Sequence, residues 1–469
     1  MFLGTIDDWA PEGSVVSWHP TESAYVSAGN AASDEAPVSY QQSQHLRFYR
    51  EQTAQGRDIP RLCIGVWDIP GVCDVDAMTH AINTHVRRHD TYHGWFAFND
   101  DSDIVRFTVE NPEVIEFRPV DQGAMTPTQI RKLLLETPDP LRWDCFSFGV
   151  IQREDSFTVY AAIDHLLADG MSAGVIFVDI HLTYLTRLQG TTVALPDPGS
   201  YRDYCAGQRA HTASLTSDSP QVRAWHSFVA DNGGALPSFP LPLGETTADT
   251  AGAIDVIDLI DDEQGQRFEA VCREAGARFS GGVFACAALA ERELTGADTY
   301  FGLTPFDNRT TPAHAMSVGW FASFVPLKIP TANMSFDDAA RAAQLSFTAG
   351  RALGEVPFYH LLEMESPQSG PITVHERPVP MLSYIDIRRI PFSDQMGGLK
   401  VGIWGDNRLS DGVCMWVNRM HDRTQLVISY PDNPIARESI TRYAEAMKSV
   451  FERVADRGLD DCSVGQGAA

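Results

Sequence analysis

The seven residues from Asp164 to Gly170 contain the most informative side chains of the sequence. They read Asp-His-Leu-Leu-Ala-Asp-Gly, and they lie between an apolar run that predicts a β-strand and a segment that predicts a long helix. A histidine at the end of a strand is held rigidly, and near neutral pH its imidazole can accept and return a proton. Gly170 permits a backbone angle that other residues resist. The pattern predicts that His165 is a general base.

A structural interpretation of the same residues remains open at this point. Asp169 has the residue type and the position of a helix N-cap, since it directly precedes the predicted helix. His165 would then be a core histidine with satisfied hydrogen bonds. A single His-x-x-x-Asp-Gly pattern does not decide between these interpretations, so the decision depends on the rest of the sequence.

Other catalytic and binding motifs are absent from the sequence. It contains no G-x-S-x-G, no cysteine in a recognisable catalytic setting, and neither of the glycine-rich phosphate motifs. The scattered cysteines are typical of reduced, buried thiols. His85, His89 and His93 fall at helical spacing, which suggests a metal site as an alternative. Because no obvious carboxylate accompanies them, we predict that the protein binds no metal.

The charge and hydropathy of the chain restrict its partners and location. Its 469 residues include 36 Lys and Arg and 62 Asp and Glu, so the net charge is −26. Such a chain repels phosphate backbones, which excludes DNA and RNA as expected partners. The amino terminus lacks the features of a signal peptide, and no apolar run approaches the roughly 18 residues of a membrane span. We expect a cytoplasmic protein, with peripheral binding at the inner face of the plasma membrane through a local apolar patch.

A predicted hairpin and a predicted helix position the motif. The apolar runs 146–152 and 157–163 are joined by four polar residues and predict a β-hairpin, and apolar residues at helical spacing predict a helix over 172–188. Because both halves of the chain mix helices with hairpins, we predict an α+β fold rather than a doubly wound parallel sheet. The expected segments are a first half at 1–190, a linker rich in Pro, Gly, Ser and Thr at 191–250, and a second half at 251–469.

The motif resembles one that characterises a superfamily of acyl- and peptidyl-transfer enzymes. Residues 164–170 resemble the His-His-x-x-x-Asp-Gly motif shared by chloramphenicol acetyltransferase, the condensation domains of peptide synthetases and the mycobacterial polyketide-associated acyltransferases. Residues 39–42 resemble the opening S-x-x-Q helix of condensation domains, and 88–90 resemble their R-H-E/D turn. Residues 306–309, Phe-Asp-Asn-Arg, and 318–321, Val-Gly-Trp-Phe, are similar to their arginine-bearing strand end and V-G-x-F segment.

The resemblance is closest to the trehalose-lipid branch of the polyketide-associated acyltransferases, and it spans nearly the whole chain. It rests on segments 87–92, 239–244, 276–282 and 431–436. One departure is that Asp164 stands where the motif has its first histidine. In the superfamily the second histidine is the base, so the resemblance assigns that role to His165.

The resemblance implies a fold and a reaction. The fold would be two chloramphenicol-acetyltransferase-like α/β sandwich halves that face each other across a central channel. The reaction would move a long-chain fatty acyl or polyketide acyl group from a coenzyme A or carrier-protein thioester to a hydroxyl of trehalose or a trehalose glycolipid. His165 would be the general base, and Asp169, turned away to pair with Arg309, would support the motif together with Gly170. No tightly bound cofactor is implied, since the acyl thioester is a co-substrate.

The resemblance also suggests partners and leaves two alternatives. Arg388 and Arg389 are a candidate basic mouth for the phosphopantetheine of the donor. A polyketide synthase carrier domain and a membrane lipid exporter are candidate protein partners. The alternatives are a free-standing condensation catalyst that forms an amide, and a non-catalytic family member that docks carrier proteins.

Overall fold

The computed structural model describes residues 2–247, 250–364, 372–373, 377–390, 392–406 and 411–464, with side chains up to residue 457. Across these ranges, no helix combines the length and the apolar character needed to cross a membrane. The seven cysteines with described side chains are free. Four of these seven cysteines are buried and three are partly exposed.

The chain folds into two compact units, and each unit includes segments that are distant in sequence. The first unit comprises the described residues within Met1–Ser214, Asp307–Ala322 and Pro391–Asn407. The second comprises those within Leu215–Phe306, Ser323–Ile390 and Arg408–Ala469. Each unit mixes helices with a large sheet that contains hairpins, which is the predicted α+β class. The division into 1–190, 191–250 and 251–469 stays a prediction.

The structure has these strands and helices in the described residues. The strands are β1 (Phe2–Thr5), β2 (Gly13–Pro20), β3 (Ala32–Asp34), β4 (Leu62–Pro70), β5 (Gly94–Phe98), β6 (Ile104–Thr108), β7 (Phe117–Met125), β8 (Phe146–Gln152), β9 (Ser156–Asp164), β10 (Gly252–Asp261), β11 (Thr299–Asp307), β12 (Ala322–Pro330), β13 (Met381–Asp386), β14 (Gly402–Gly405), β15 (Cys414–Arg419) and β16 (Arg423–Pro431). The α-helices are α1 (Glu22–Gly29), α2 (Tyr40–Ala54), α3 (Val75–Arg88), α4 (Pro127–Leu135), α5 (Gly170–Leu188), α6 (Tyr201–Ala213), α7 (Pro220–Asp231), α8 (Asp262–Glu274), α9 (Phe279–Thr295), α10 (Phe336–Arg351), α11 (Phe358–Glu363) and α12 (Pro434–Val464).

The main sheet of the first unit has β9 at its centre. Its seven strands lie in the order β1-β14-β4-β9-β8-β2-β7, and β9 is antiparallel to both β4 and β8. All residues of β9 after its first are buried. A central strand that is covered on both faces needs apolar residues on both, which explains the continuous apolar run in the sequence. The chain that leaves β9 after Asp164 therefore starts from a rigid position.

Helix α5 follows the motif and begins with a capping box. The Asp169 side chain accepts a hydrogen bond from the backbone N–H of Ser172, and the Ser172 side chain bonds the backbone of Asp169 in return. The predicted N-cap is therefore correct, and the helix begins at Gly170, two residues before its predicted start. Helix α3 packs against α5, and a small sheet in the order β3-β6-β5 completes the first unit.

The second unit has its own sheet and core. Its six strands lie in the order β10-β16-β15-β13-β11-β12. Strand β13 is parallel to its neighbours β11 and β15. Strand β16 is antiparallel to its neighbours β10 and β15. Helices α8, α9, α10 and α12 pack against each other and contribute to one apolar core. Its largest buried members include Phe268, Phe284, Tyr443 and Phe451. A short 3-10 turn after β13 carries Arg388 and Arg389.

Candidate active site

His165 is the first residue after β9, and its backbone N–H donates to the carbonyl oxygen of Arg61 at 2.7 Å. The side chain is partly exposed. Its Nδ1 atom is buried and has no hydrogen-bond partner in another described residue. Its ring lies against the indole of Trp320, with centroids 4.0 Å apart and an interplanar angle of 43°. Because Nδ1 is enclosed, Nε2 is the nitrogen left for a substrate, and the satisfied core histidine of the structural interpretation is not what the structure shows.

The surroundings of His165 favour a neutral ring. Burial is the largest influence and lowers the pKa of His165, and the nearby His45 lowers it further. Its own backbone carbonyl and the carboxylates of Asp169 and Asp164 act in the opposite direction without reversing the shift. A neutral imidazole is the state that can accept a proton, so at neutral pH this ring has the protonation state of a general base.

The carboxylate of Asp169 is directed to Arg309 rather than to His165. Its Oδ2 accepts a hydrogen bond from NH1 of Arg309 at 2.8 Å, and its Oδ1 accepts one from NH2 of Arg309 at 2.9 Å. The same carboxylate accepts the backbone N–H groups of Ser172, Phe321 and Ala322 at 3.0, 2.9 and 3.2 Å. Burial alone would raise the pKa of Asp169, but the pairing with Arg309 and the bonds from Ser172 hold it below its usual value. Asp169 is therefore ionised and serves both as a helix cap and as an ion-pair partner.

This ion pair fixes the segment that carries Trp320. Arg309 NH2 donates to Ser172 Oγ at 3.0 Å and to the Gly319 carbonyl at 3.2 Å. Ser172 Oγ donates in turn to the Gly319 carbonyl at 2.9 Å. These bonds, together with those from Phe321 to Asp169, hold the backbone on both sides of Trp320. Trp320 lies in a segment that resembles the family, but no role for Trp320 or Ser172 is predicted from the sequence.

Gly170 does not have the special backbone angle that the sequence analysis expected. Glycines with positive φ are present in the described chain, but Gly170 is not among them. It is instead the first residue of α5, where ordinary helical angles suffice. A Cβ atom at this position would meet no heavy atom within 4 Å. A small side chain at position 170 would therefore meet no steric obstacle.

Asp164 points into the interior and bonds the side chains of His45 and Arg61. It is 0% exposed, and its two oxygens accept His45 Nε2 at 2.8 Å and Arg61 NH1 at 2.9 Å. Burial would raise the pKa of Asp164, but His45, Arg61 and the backbone N–H of Leu166 lower it below the usual value. The position that departs from the family motif thus carries a buried carboxylate in a bonded network.

His45 and Arg61 are not among the site residues predicted from the sequence, although one signal points to His45. Gln42 and His45 are three residues apart on α2, so they lie on the same helix face. Gln42 Nε2 donates to the carbonyl oxygen of Leu166 at 3.0 Å, and His45 bonds Asp164. Two polar residues at this spacing, next to the S-x-x-Q pattern, mark the helix face that contacts the motif. Arg61 had no such signal, because an arginine at the start of a strand is common.

The histidines considered as metal ligands converge on a carboxylate that the sequence analysis did not identify. His89 Nε2 lies 2.6 Å and His85 Nδ1 3.3 Å from Asp179 Oδ2, and the three side chains are buried. His93 bonds the backbone of Val86 instead. Arg88 Nε lies 3.2 Å from the same Asp179 oxygen. A guanidinium at this distance repels a metal cation, so the arrangement favours a hydrogen-bonded ion-pair cluster.

We therefore expect chelation to leave the protein unchanged. A structural metal contributes on the order of 10 kcal/mol to folding, so its removal would lower the melting temperature strongly. Dialysis against EDTA followed by thermal unfolding should give the melting temperature of the untreated protein, and elemental analysis should find less than one metal ion per chain. A stoichiometric metal that is lost together with a fall in melting temperature would instead identify His85, His89 and Asp179 as ligands.

No cysteine with a described side chain is a plausible acyl-accepting nucleophile. Burial raises the pKa of Cys63, Cys73 and Cys272 to about 12 and that of Cys414 to about 11, and it raises the pKa of the other described thiols too. Such thiols stay protonated at neutral pH, whereas the thiolate is the nucleophile. The described cysteines are therefore poor acyl-accepting nucleophiles at neutral pH.

Arg388 and Arg389 flank one carboxylate in the second unit. Arg388 Nε and NH2 each donate to an oxygen of Asp386 at 2.8 Å, and Arg389 Nε lies 3.3 Å from Asp386. Their side chains are 27% and 83% exposed. Arg389 offers the more accessible guanidinium of the two. Their role as a donor mouth stays a prediction.

Comparisons with known proteins identify the family. Residues 64–371 match the condensation domain family. Acyltransferase PapA3 of Mycobacterium tuberculosis is 45% identical over 462 residues, which cover 97% of each chain. Trehalose-2-sulfate acyltransferase PapA2 of the same organism is 46% identical over 463 residues, with 97% of this chain and 98% of that protein covered.

Solved structures agree with this result. The PapA2 acyl transferase structure superposes with a TM-score of 0.93 at 45% sequence identity. The match covers 97% of this chain and 100% of the PapA2 chain. The condensation domain of the monacolin K polyketide synthase MokA superposes with a TM-score of 0.69 at 16% sequence identity, and the match covers 90% of this chain and 97% of that domain. At this identity the match supports the fold alone. The predicted family and fold class are confirmed. The chain belongs to the PapA acyltransferases, a branch of the condensation-domain family.

Proposed function

We propose that this protein transfers a long-chain fatty acyl or polyketide acyl group from a coenzyme A or carrier-protein thioester to a hydroxyl of trehalose or a trehalose glycolipid. The observation that carries the proposal is the state of His165. Its Nδ1 is enclosed, no carboxylate bonds its ring, and burial lowers its pKa. The name of the related PapA2, a trehalose-2-sulfate acyltransferase, supports a trehalose-based acceptor.

The proposed reaction needs one base and two bound substrates. His165 Nε2 accepts the proton of the acceptor hydroxyl while the hydroxyl oxygen attacks the thioester carbonyl carbon. The tetrahedral intermediate then collapses, the carbon–sulfur bond breaks, and the imidazolium returns its proton to the departing thiolate. The products are an ester and a free thiol. No acyl-enzyme is required, in agreement with the protonated thiols of the described cysteines.

Incubation of the purified protein with trehalose and palmitoyl-CoA tests the proposal. We expect acyl-trehalose and free coenzyme A in equal amounts, with palmitoyl-CoA a better donor than acetyl-CoA, because a longer chain buries more apolar surface. Mass spectrometry of the products measures acyl-trehalose, and a thiol assay measures the coenzyme A released from each donor. Equal use of acetyl-CoA would contradict the long-chain donor.

The same assay separates the alternatives. Transfer to an amine on a carrier protein, with none to trehalose, would identify an amide-forming condensation catalyst. Carrier binding without release of thiol from any donor would identify a docking protein. The ionised Asp169 and the neutral His165 favour the ester-forming reaction over the docking function.

The finer partners of the reaction are part of the proposal. Arg388 and Arg389 would contact the phosphate groups of the donor, Arg389 through its exposed guanidinium. A polyketide synthase carrier domain would supply polyketide acyl groups, and a membrane lipid exporter would receive the glycolipid. We place the reaction in the cytoplasm, at the inner face of the plasma membrane.

A further inference from the structure

A second histidine lies near the candidate base and is held by a buried carboxylate. The side chain of His45 is 8% exposed, and its Nε2 donates to Asp164 Oδ1 at 2.8 Å. Asp164 is in turn fixed by Arg61 NH1 at 2.9 Å and by the backbone N–H of Leu166 at 2.9 Å. With three donors on one buried carboxylate, the orientation of the His45 ring is determined by the interior of the first unit.

The indole of Trp320 connects the two imidazoles. Its ring lies 5.7 Å from that of His45 in an edge-on arrangement at 72°, and 4.0 Å from that of His165 at 43°. The carbonyl oxygen of Trp320 accepts the Tyr201 hydroxyl at 3.0 Å. Since the neighbouring backbone is bonded to Ser172 and Asp169, the indole is held beside both histidines.

We propose that His45 is a positioning residue for His165, held by the buried carboxylate of Asp164 on one side and acting through the indole of Trp320 on the other. The proposal rests on the function proposed above, since it concerns the ring that would act as the base. His165 needs this support because its Nδ1 has no hydrogen-bond partner in another described residue. Packing therefore sets its orientation, and that packing continues through Trp320 to His45.

His45 also affects the charge that His165 experiences. The titratable groups around His165 are His45 on α2, Asp164 at the end of β9 and Asp169 before α5, and the two carboxylates are paired with Arg61 and Arg309. After burial, His45 is the main influence that lowers the pKa of His165, whereas both carboxylates raise it. Removal of His45 therefore raises the pKa of His165, so a higher pH is needed to keep the base neutral.

The test compares the full-length His45→Gln variant with a matched control. Glutamine keeps an N–H donor for Asp164 but lacks the titratable ring. His80→Gln changes an exposed histidine of α3 and is the control. We expect the acidic limb of kcat/KM for palmitoyl transfer to trehalose to move up by about half to one pH unit in His45→Gln. We also expect kcat to fall about tenfold, with KM for both substrates within about twofold, because a displaced base slows the chemical step without weakening binding.

A second measurement does not depend on activity. With labelled histidine, the ring C–H resonance of His165 is the one that disappears in His165→Ala, and its NMR titration gives the pKa of His165 without substrates. We expect the same upward shift in His45→Gln and none in His80→Gln. An unshifted titration would overturn the proposal. If the wild-type protein transfers no acyl group but the titration shifts, the proposed function fails while the positioning role stands.

Two variants of Trp320 keep the proposal testable should His45→Gln not fold. Trp320 is partly exposed, and its backbone makes the hydrogen bonds of the segment, so both variants should remain folded. Trp320→Phe keeps a ring against His165 and should retain most of kcat, whereas Trp320→Ala should lose about tenfold or more. Equal activity of Trp320→Ala and wild type, or a loss that only follows the folded fraction measured by circular dichroism, would contradict the positioning role.

Discussion

Replacement of His165 by alanine should abolish measurable acyl transfer while the protein stays folded. Loss of a general base costs on the order of 10²- to 10⁴-fold in rate. The side chain is partly exposed and makes no hydrogen bond to another described residue, so its removal breaks no network. The rate of acyl-trehalose formation by His165→Ala, with circular dichroism to establish folding, is the measurement.

Asp164→Asn is the control for this experiment, because it changes the adjacent residue while preserving its shape. Asparagine retains one oxygen for Arg61, and Asp164 points into the interior, where it supports His45. We expect this variant to lose far less rate than His165→Ala and to be less stable than wild type, because Arg61 stays buried without a full counter-charge. If folded Asp164→Asn is as inactive as His165→Ala, then Asp164 takes part in proton transfer and the assigned roles are wrong.

Replacement of either partner of the Asp169–Arg309 pair should destabilise the protein strongly. The two side chains are 4% and 3% exposed and share two hydrogen bonds. Removing one partner of such a pair costs roughly 3–5 kcal/mol, mainly because the remaining charge is buried without compensation. Asp169→Ala and Arg309→Ala should therefore each lower the free energy of unfolding by about this amount. Both should also reduce the rate, since the pair holds the segment that places Trp320 against His165.

A double-mutant cycle measured by denaturant unfolding tests the pairing. The free energy lost in the double variant should be smaller than the sum of the single losses, because removing both partners leaves no stranded charge. Arg118→Ala breaks an exposed pair with Glu116 and should leave stability unchanged. Strict additivity at Asp169 and Arg309 would show that their charges do not interact.

The residues near the motif could be predicted because their interactions are local or belong to one strand and one helix. The buried strand before His165 was visible as a continuous apolar run. The N-cap at Asp169 was visible because Asp is a residue type that caps helices and it directly precedes the predicted helix. The family resemblance added the pairing of Asp169 with Arg309, which are 140 residues apart and could not have been paired from spacing alone.

The surroundings of His165 were decided by the tertiary structure. His45 bonds Asp164 across 119 residues of sequence, and Asp179 bonds His89 across 90. No periodicity in the sequence relates such partners, because their distance depends on the path of the chain through the sheet and on how helices pack on it. The same holds for the role of Trp320, whose position follows from the bonds of its neighbours to Asp169 and Ser172.

The sequence by itself thus determined the identity of the candidate base, the strand that presents it and the helix that follows it. The strand and the helix depend on hydrophobic periodicity and on hydrogen bonds between near neighbours, and both can be recognised from short stretches of consecutive residues. Only the tertiary structure decided that Gly170 has ordinary helical angles and that His45 and Trp320 border His165. The protonation state and the orientation of His165 depend on burial and on charges brought in from distant segments, and those quantities exist only once the chain has folded.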